Sequence, residues 1–261
     1  MVNSTNQRLQ NSLFPDASMI ENATFKNRHG EELDTSYHPS SRKDRLIILG
    51  HGVTGDKDRP LVVAVAEGLA SKGWPCLRIS FAGNGNSEGD FRAATISKES
   101  EDLQDIMDQL PKNLRLAYAG HSMGGAVGVL TAARDPRIEV VINLAGMIRT
   151  KAFCEREFGM VTPDEGDMWD EKGCPLSRAY VEDLHGIQDL FEQIGGLAQP
   201  LLLIHGTADD VVLPDDSIDA HAKAREPKKL VLIEGAKHSF DDSSYAQVLE
   251  AADDWLQGHI A

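Results

Sequence analysis

The chain has 261 residues, of which 41% are hydrophobic, enough for one large α/β domain with a substantial core. Its 41 acidic and 26 basic residues give a formal net charge of −15, so nucleic acid and anionic membrane surfaces would repel it. No apolar run approaches the roughly 20 residues of a membrane-spanning helix. Residues 1–20 lack the apolar core of a secretory signal. We therefore expect neither a nucleic-acid nor a membrane partner.

The three cysteines are Cys76, Cys154 and Cys174, and none of them forms a CxxC pair. An odd number of cysteines in a chain without a secretion signal indicates reduced thiols, and hence a cytoplasmic protein. Cys76 opens an apolar run and is expected in the core. Cys154 and Cys174 lie in one polar segment, where a disulfide between them is the alternative to two free thiols.

Short apolar runs alternate with longer amphipathic segments, which is typical of a mostly parallel sheet flanked by helices. Residues 23–39 predict an antiparallel hairpin with its turn at "HGEE". Later strands are predicted at 45–50, 76–81, 114–120, 139–146, 200–206 and 228–235. Helices are predicted over 61–73, over 97–110, after Gly125, after Pro214, and from about Asp242. Gly73 ends the first of them. Ser97 and Ser100 are candidate N-caps of the second, and Pro111 marks its end.

One segment, residues 147–190, contains no strand-like run and exceeds the ~12–15 residues of an ordinary connection. We predict that it is an insertion capping the C-terminal edge of the sheet, where open α/β sheets bind ligands. The chain is then a single domain, 1–261, with a core of 1–146 and 191–261 and a cap of about 147–190. The aromatic residues of the cap suit a pocket for a small aryl or short aliphatic group. Alternatively, they only pack the cap onto the sheet.

Neither a phosphate loop nor a metal site is indicated. The glycine pattern that starts at Gly83 and Gly85 has Glu88 at its third glycine position, and "GHSMGG" lacks the Lys-Ser or Lys-Thr of a Walker loop. No HExxH motif or Cys/His cluster is present. We expect no cofactor and no metal.

A serine stands where a predicted strand turns into a predicted helix. The pattern Gly120-x-Ser122-x-Gly124 matches the nucleophile elbow of α/β-hydrolases. Such a turn exposes the serine hydroxyl in a strained backbone, and it needs small residues two positions before and after the serine. The N-terminal amides of the following helix point at the reacting oxygen. The alternative is that Ser122 only caps the helix.

A serine nucleophile needs a base and an orienting carboxylate. Asp209 and Asp210 follow the strand at 200–206, and His238 follows the strand at 228–235. The order Ser, Asp, His is the order of the α/β-hydrolase triad. An aspartate in a loop can instead form a turn, and a single histidine can be structural. An oxyanion hole needs two backbone N–H groups. Met123 supplies one, and the loop that begins "HGV" at His51 supplies the other.

The chain resembles the α/β-hydrolase superfamily, in particular small bacterial esterases of the feruloyl and cinnamoyl type. The resemblance rests on "HGVTGDKDRP", "RISFAGNGNSEGDF", "GHSMGG", "LIHGTADDVV" and "LIEGAKHSF". It implies the α/β-hydrolase fold, a mostly parallel twisted sheet with flanking helices and an inserted cap. It also implies roles for five residues: Ser122 as nucleophile, His238 as base, Asp209 as acid, and Val53 and Met123 as oxyanion donors.

These patterns predict a cytoplasmic serine hydrolase that cleaves small carboxylic esters through an acyl-enzyme. Its partner is a small-molecule ester substrate, and the protein is expected to be a monomer or a homodimer. A peptidase or an acyl thioesterase with the same triad is the nearest alternative. A non-catalytic binding protein on the same fold is a third, although such proteins typically lack a member of the triad.

Overall fold

The computed structural model describes residues 16–260. The nine strands in this part of the chain are β1 (Phe25–Lys26), β2 (Glu32–Leu33), β3 (Thr35–His38), β4 (Arg45–Gly50), β5 (Cys76–Ile79), β6 (Arg115–His121), β7 (Ile138–Leu144), β8 (Leu201–Gly206) and β9 (Lys228–Ile233). The α-helices there are α1 (Pro60–Ser71), α2 (Ile96–Gln109), α3 (Met123–Ala132), α4 (Thr150–Phe158), α5 (Arg178–Ile187), α6 (Phe191–Gly196), α7 (Asp215–Lys223) and α8 (Asp242–His259).

Seven of the strands form the central sheet, in the order β3-β5-β4-β6-β7-β8-β9. β3 is antiparallel to β5, whereas every other neighbouring pair is parallel. This is the mostly parallel sheet expected from the sequence. Because β4 to β9 run in one direction, the loops that follow β4, β6, β8 and β9 meet at one edge of the sheet.

Successive residues of the buried strands face opposite sides of the sheet and belong to two separate hydrophobic clusters. Leu46 and Ile48 of β4 pack in one cluster with α2 and α3. Ile47 and Leu49 pack in the other with α1 and α8. Both faces of the sheet are therefore covered by helices, which explains why these strands are apolar runs rather than alternating ones.

The predicted elements occur in the predicted order. β1 and β2 form an antiparallel hairpin within the predicted range of 23–39, but residues 35–38 of that range pair with β5 instead. Gly73, with φ +98°, follows the end of α1. The N-cap of α2 was predicted wrongly. Thr95 occupies the cap position and accepts a hydrogen bond from the N–H of Lys98, whereas Ser97 and Ser100 lie inside the helix. Thr95 was missed because two serines downstream offered the same capping chemistry.

Between β7 and β8 the described chain forms helices α4, α5 and α6 and no strand, in agreement with the pattern of residues 147–190. The division into a core and a cap remains a prediction. Cys76, Cys154 and Cys174 are all free thiols, and Cys76 is buried as expected. Among residues 16–260 none of the helices is both long and apolar enough to cross a membrane. Most of the segment examined for a secretory signal, residues 1–15, lies outside the described residues.

Candidate active site

Ser122 lies between β6 and α3 in a backbone conformation that L-residues rarely adopt, with φ +54° and ψ −118°. Strain of this kind costs on the order of 1–3 kcal/mol and is concentrated at functional sites. Ser122 occupies the N-cap position of α3, but its side chain makes no capping hydrogen bond. The interpretation of Ser122 as a simple helix cap is therefore wrong. Its own N–H donates to Leu144 O over 2.9 Å, which fixes the turn against β7.

The glycines two residues before and after Ser122 are required by backbone packing. A Cβ atom on Gly120 would lie 2.1 Å from the carbonyl oxygen of Gly124. A Cβ atom on Gly124 would lie 2.5 Å from the carbonyl oxygen of His51. No side chain can be accommodated at such distances without moving the backbone, so the sharp turn at Ser122 depends on both glycines.

The structure brings the other predicted residues to the same edge of the sheet. His238 Nδ1 donates a hydrogen bond to Asp209 Oδ2 over 2.8 Å, which joins the loops after β8 and β9. The adjacent Asp210 is exposed, and the carboxylate that pairs with His238 is that of Asp209. His238 and Ser122 line one pocket. Nδ1 is the donor because its partner is a carboxylate, so Nε2 is the nitrogen left to exchange a proton.

The carboxylate of Asp209 is buried and meets four donors. Its Oδ1 accepts hydrogen bonds from the N–H groups of Val211 and Val212, at 2.9 and 3.0 Å. Its Oδ2 faces His238 Nδ1 at 2.8 Å and His205 Nε2 at 3.1 Å. Burial alone would raise the pKa of Asp209. The hydrogen bonds from His205 and His238 outweigh it and hold the pKa well below its ordinary value, so Asp209 is ionised at neutral pH.

Two further histidines border the site, and both are held in the neutral form. Burial lowers the pKa of His121 to about 3, and the neighbouring His238 adds to the effect. His121 Nε2 donates to the carbonyl oxygen of His238 over 2.9 Å. Burial lowers the pKa of His51 to about 4. His51 accepts the N–H of Phe81 at Nε2 and donates from Nδ1 to Gly52 O, so the Nδ1–H tautomer satisfies both partners.

Two backbone N–H groups near Ser122 have no acceptor. Within residues 16–260, neither Val53 N–H nor Met123 N–H donates to a protein atom. Met123 is the first residue of α3, where a helix leaves its N–H groups unpaired and carries partial positive charge. Val53 stands in the loop after β4 and lines the pocket with Ser122. Two free backbone donors beside a serine can stabilise a negatively charged oxygen.

The pocket around Ser122 has a volume of about 500 Å³. Apolar and aromatic side chains form much of its wall, among them Leu61, Trp169, Phe240 and Tyr245. Trp169 comes from the predicted cap, which therefore reaches the site. The other large cap aromatics behave differently: Phe153, Phe158 and Tyr180 are buried away from the pocket and pack against one another or Trp169. For these three residues, the sequence left open a role in the pocket or a role in packing alone, and the structure supports packing.

Sequence reasoning missed three polar groups of the site. Arg59 and Glu171 line the pocket, and their charged groups approach each other to 3.9 Å. Arg59 also donates to Thr54 O over 2.7 Å, which supports the loop that carries Val53. The third group, His205, has a signal in the sequence. It is the one polar residue in the run "LLLIH", four positions before Asp209.

Known proteins resemble this chain in sequence and in fold. The family model described as serine aminopeptidase, S33, matches residues 41–163. Est1E from Butyrivibrio proteoclasticus, solved with bound ferulic acid, superposes with a TM-score of 0.81 at 26% identity. The match covers 91% of this chain and 99% of Est1E. The chain therefore has the α/β-hydrolase fold, and it is similar in sequence and fold to serine hydrolases.

Two further proteins are similar to this chain in sequence. Rv2307c from Mycobacterium tuberculosis is 29% identical over 206 residues, which are 77% of this chain and 66% of that protein. Human mitochondrial palmitoyl-protein thioesterase ABHD10 is 25% identical over 188 residues, which are 68% of this chain and 61% of that protein. The region of similarity thus covers slightly less than two thirds of the length of each relative. Esterases and a thioesterase are both among the similar proteins.

Proposed function

We propose that this α/β-hydrolase cleaves small carboxylic esters, with feruloyl and cinnamoyl esters as the representative aryl class. The proposal rests chiefly on one observation: the strained Ser122 shares a pocket with His238, whose other ring nitrogen is hydrogen-bonded to the ionised Asp209. A serine, a neutral imidazole and a buried carboxylate in that order are the groups that acyl transfer needs.

The reaction follows from the positions of these groups. Ser122 Oγ attacks the ester carbonyl while His238 Nε2 takes the hydroxyl proton. Asp209 keeps the proton of His238 on Nδ1 and stabilises the imidazolium that forms. The N–H groups of Val53 and Met123 donate to the oxyanion of the tetrahedral intermediate.

The intermediate collapses as His238 returns the proton to the departing alkoxide, and the acyl group remains on Ser122. Water, deprotonated by the same histidine, then attacks the acyl carbonyl carbon. The bond to Ser122 Oγ breaks as His238 returns the proton to Oγ, and the acid is released. Hydrolysis by this route uses only side chains and backbone amides, and it requires no cofactor.

Preference for a small aryl or short acyl group is supported by the walls of the pocket and by the likeness to Est1E. Trp169, Phe240 and Tyr245 present flat apolar surface beside Ser122. Est1E binds ferulic acid, an aryl acid, on a matching fold. We propose a small-molecule ester as substrate and a cytoplasmic location for a monomer or homodimer. The three free thiols support a reducing compartment.

Acyl thioester hydrolysis is the second candidate, and the likeness to ABHD10 favours it. The same groups would carry out the reaction, with a thiolate rather than an alkoxide as the leaving group. The description of the matching family also leaves peptide hydrolysis as a third activity to test.

A substrate panel distinguishes the candidates. Initial rates are measured on p-nitrophenyl acetate and butyrate, methyl ferulate, acyl thioesters of short and long chains, and aminoacyl p-nitroanilides, each with Ser122→Ala as the control. The proposal expects the highest kcat/KM on the short-chain and hydroxycinnamate esters. A higher kcat/KM on thioesters would favour a thioesterase, and a higher kcat/KM on anilides would favour a peptidase. Turnover that survives in Ser122→Ala would show that Ser122 is not the nucleophile.

A further inference from the structure

The strongest unassigned feature beside the site is the fully buried imidazole of His205, at the end of β8. Its Nε2 lies 2.9 Å from Val212 O and 3.1 Å from Asp209 Oδ2. Its Nδ1 lies 2.7 Å from the hydroxyl of Ser217, on α7. Both neighbours of Nε2 are acceptors, so Nε2 carries a hydrogen.

We propose that His205 is a positioning residue, which holds the Asp209 carboxylate in the rotamer that His238 requires. The proposal rests on the function proposed above for Asp209 and His238. A carboxylate can accept about four hydrogen bonds, and four donor nitrogens lie within 3.1 Å of the Asp209 oxygens. Three of the donors are the His238 ring and the N–H groups of Val211 and Val212. His205 supplies the fourth.

His205 also fixes the loop that bears Asp209. The carbonyl of Val212 accepts from His205 Nε2, while the N–H of Val212 donates to Asp209 Oδ1. One imidazole therefore contacts both the carboxylate and the backbone that supports it. Without that imidazole, Asp209 Oδ2 would retain one donor and Val212 O would be buried without a partner. Both losses free the carboxylate to rotate away from His238 Nδ1.

Substitution of His205 by Gln or by Asn tests whether the residue acts by donating a hydrogen bond to Asp209 or only by filling space. In His205→Gln the amide nitrogen can reach the place of Nε2, whereas in His205→Asn the side chain is one methylene shorter and cannot. We expect His205→Asn to lower kcat by about 10–100-fold with KM within about twofold, the size of effect that a displaced supporting group produces. His205→Gln should restore kcat to within about threefold of the wild type.

Ser217→Ala is the matched control, because it removes the hydroxyl at Nδ1 and leaves the Nε2–H in place. We expect it to lower Tm while kcat stays within about twofold of the wild type. Equal kcat in the Asn and Gln variants would overturn the proposal. A loss of kcat in Ser217→Ala as large as in His205→Asn would also overturn it, since the effect would then reflect general loosening of the buried cluster.

The reactivity of Ser122 toward a fluorophosphonate probe provides a readout that needs no natural substrate. The labelling rate should follow the same order, with wild type and Ser217→Ala fastest, His205→Gln close to them and His205→Asn slowest. If the wild type is neither labelled nor active on any ester, the proposed function fails. If the wild type is labelled and a folded His205→Asn reacts at the same rate, only the role of His205 fails.

Folding of each variant is checked by near-UV circular dichroism and Tm. Should His205→Asn not fold, His205→Gln decides the question alone. Retention of the labelling rate to within about threefold supports positioning. A loss of more than about tenfold at wild-type Tm contradicts it, because the amide donor would then be present without effect.

Discussion

The ring of His238 is fixed by Asp209 through a 2.8 Å hydrogen bond between Nδ1 and Oδ2, and the side chain of Asp209 is fully buried. The two residues lie on loops after neighbouring parallel strands, β8 and β9, so their contact depends on the register of the sheet. His238 itself is partly exposed and faces the pocket with Ser122. A buried, ionised carboxylate thus orients a partly exposed imidazole.

Two adjacent aspartates give a matched test of this contact. Asp209→Asn should lower kcat by up to about 10⁴-fold, because an amide at this position favours the wrong tautomer of His238. Asp210→Asn should change kcat by less than about twofold, since Asp210 is exposed and its substitution removes no contact with His238. Steady-state kinetics on p-nitrophenyl butyrate would measure both. The reverse ranking in folded proteins would assign the orienting acid to Asp210.

The cap offers a second matched pair, Trp169 and Phe158, whose rings lie 4.8 Å apart between centroids. Trp169→Leu should change the ratio of kcat/KM between methyl ferulate and p-nitrophenyl acetate by about tenfold, because Trp169 lines the pocket. Phe158→Leu should leave that ratio unchanged and lower the free energy of unfolding by about 1–3 kcal/mol, because Phe158 is only 2% exposed. Equal shifts of the ratio in both variants would show that the cap acts as one packed unit.

The order of the elements could be predicted from the sequence, because buried parallel strands are short apolar runs and several end in glycine before a loop. The positions of Ser122, Asp209 and His238 at one edge follow from the same pattern. Once the strands are parallel, the residues after them converge.

The directions of side chains within the cap could not be predicted. Phe158 and Trp169 are both aromatic residues among charged ones in the sequence, yet Phe158 is buried at the end of α4 and Trp169 lines the pocket from a short 3-10 helix between α4 and α5. His205 was missed for another reason. A histidine at the end of a buried strand looks like part of the core until its distance to Asp209 is known.

His51 gives a prediction on pH and stability. Burial lowers its pKa to about 4 in the folded protein, whereas an unfolded histidine titrates near 6.5, so the unfolded state binds more protons between these values. The free energy of unfolding should therefore fall as the pH drops from about 6.5 to about 4, with a contribution of about 3 kcal/mol from His51.

His51→Gln should remove this contribution, because an amide retains a donor and an acceptor for Gly52 and Phe81 but does not titrate. Urea unfolding of the two proteins at several pH values between 7 and 4 measures the difference. Asp209 also loses stabilising energy as the pH falls below about 5, because its pKa is lowered in the folded protein. This loss is the same in both proteins and cancels in the difference between them. Parallel curves for the wild type and His51→Gln would contradict the prediction.

The most direct test of the central claim, that Ser122 is the nucleophile, is to locate the covalent adduct. The wild-type protein is treated with a fluorophosphonate and its mass is measured intact and after peptide mapping, alongside Ser122→Ala and ester kinetics. We predict one adduct per wild-type chain, on Ser122. Ser122→Ala should form no adduct, and its kcat on esters should be at least about 10⁴-fold below that of the wild type. An adduct on another residue, or a folded Ser122→Ala that keeps a tenth of the wild-type kcat, would contradict the account.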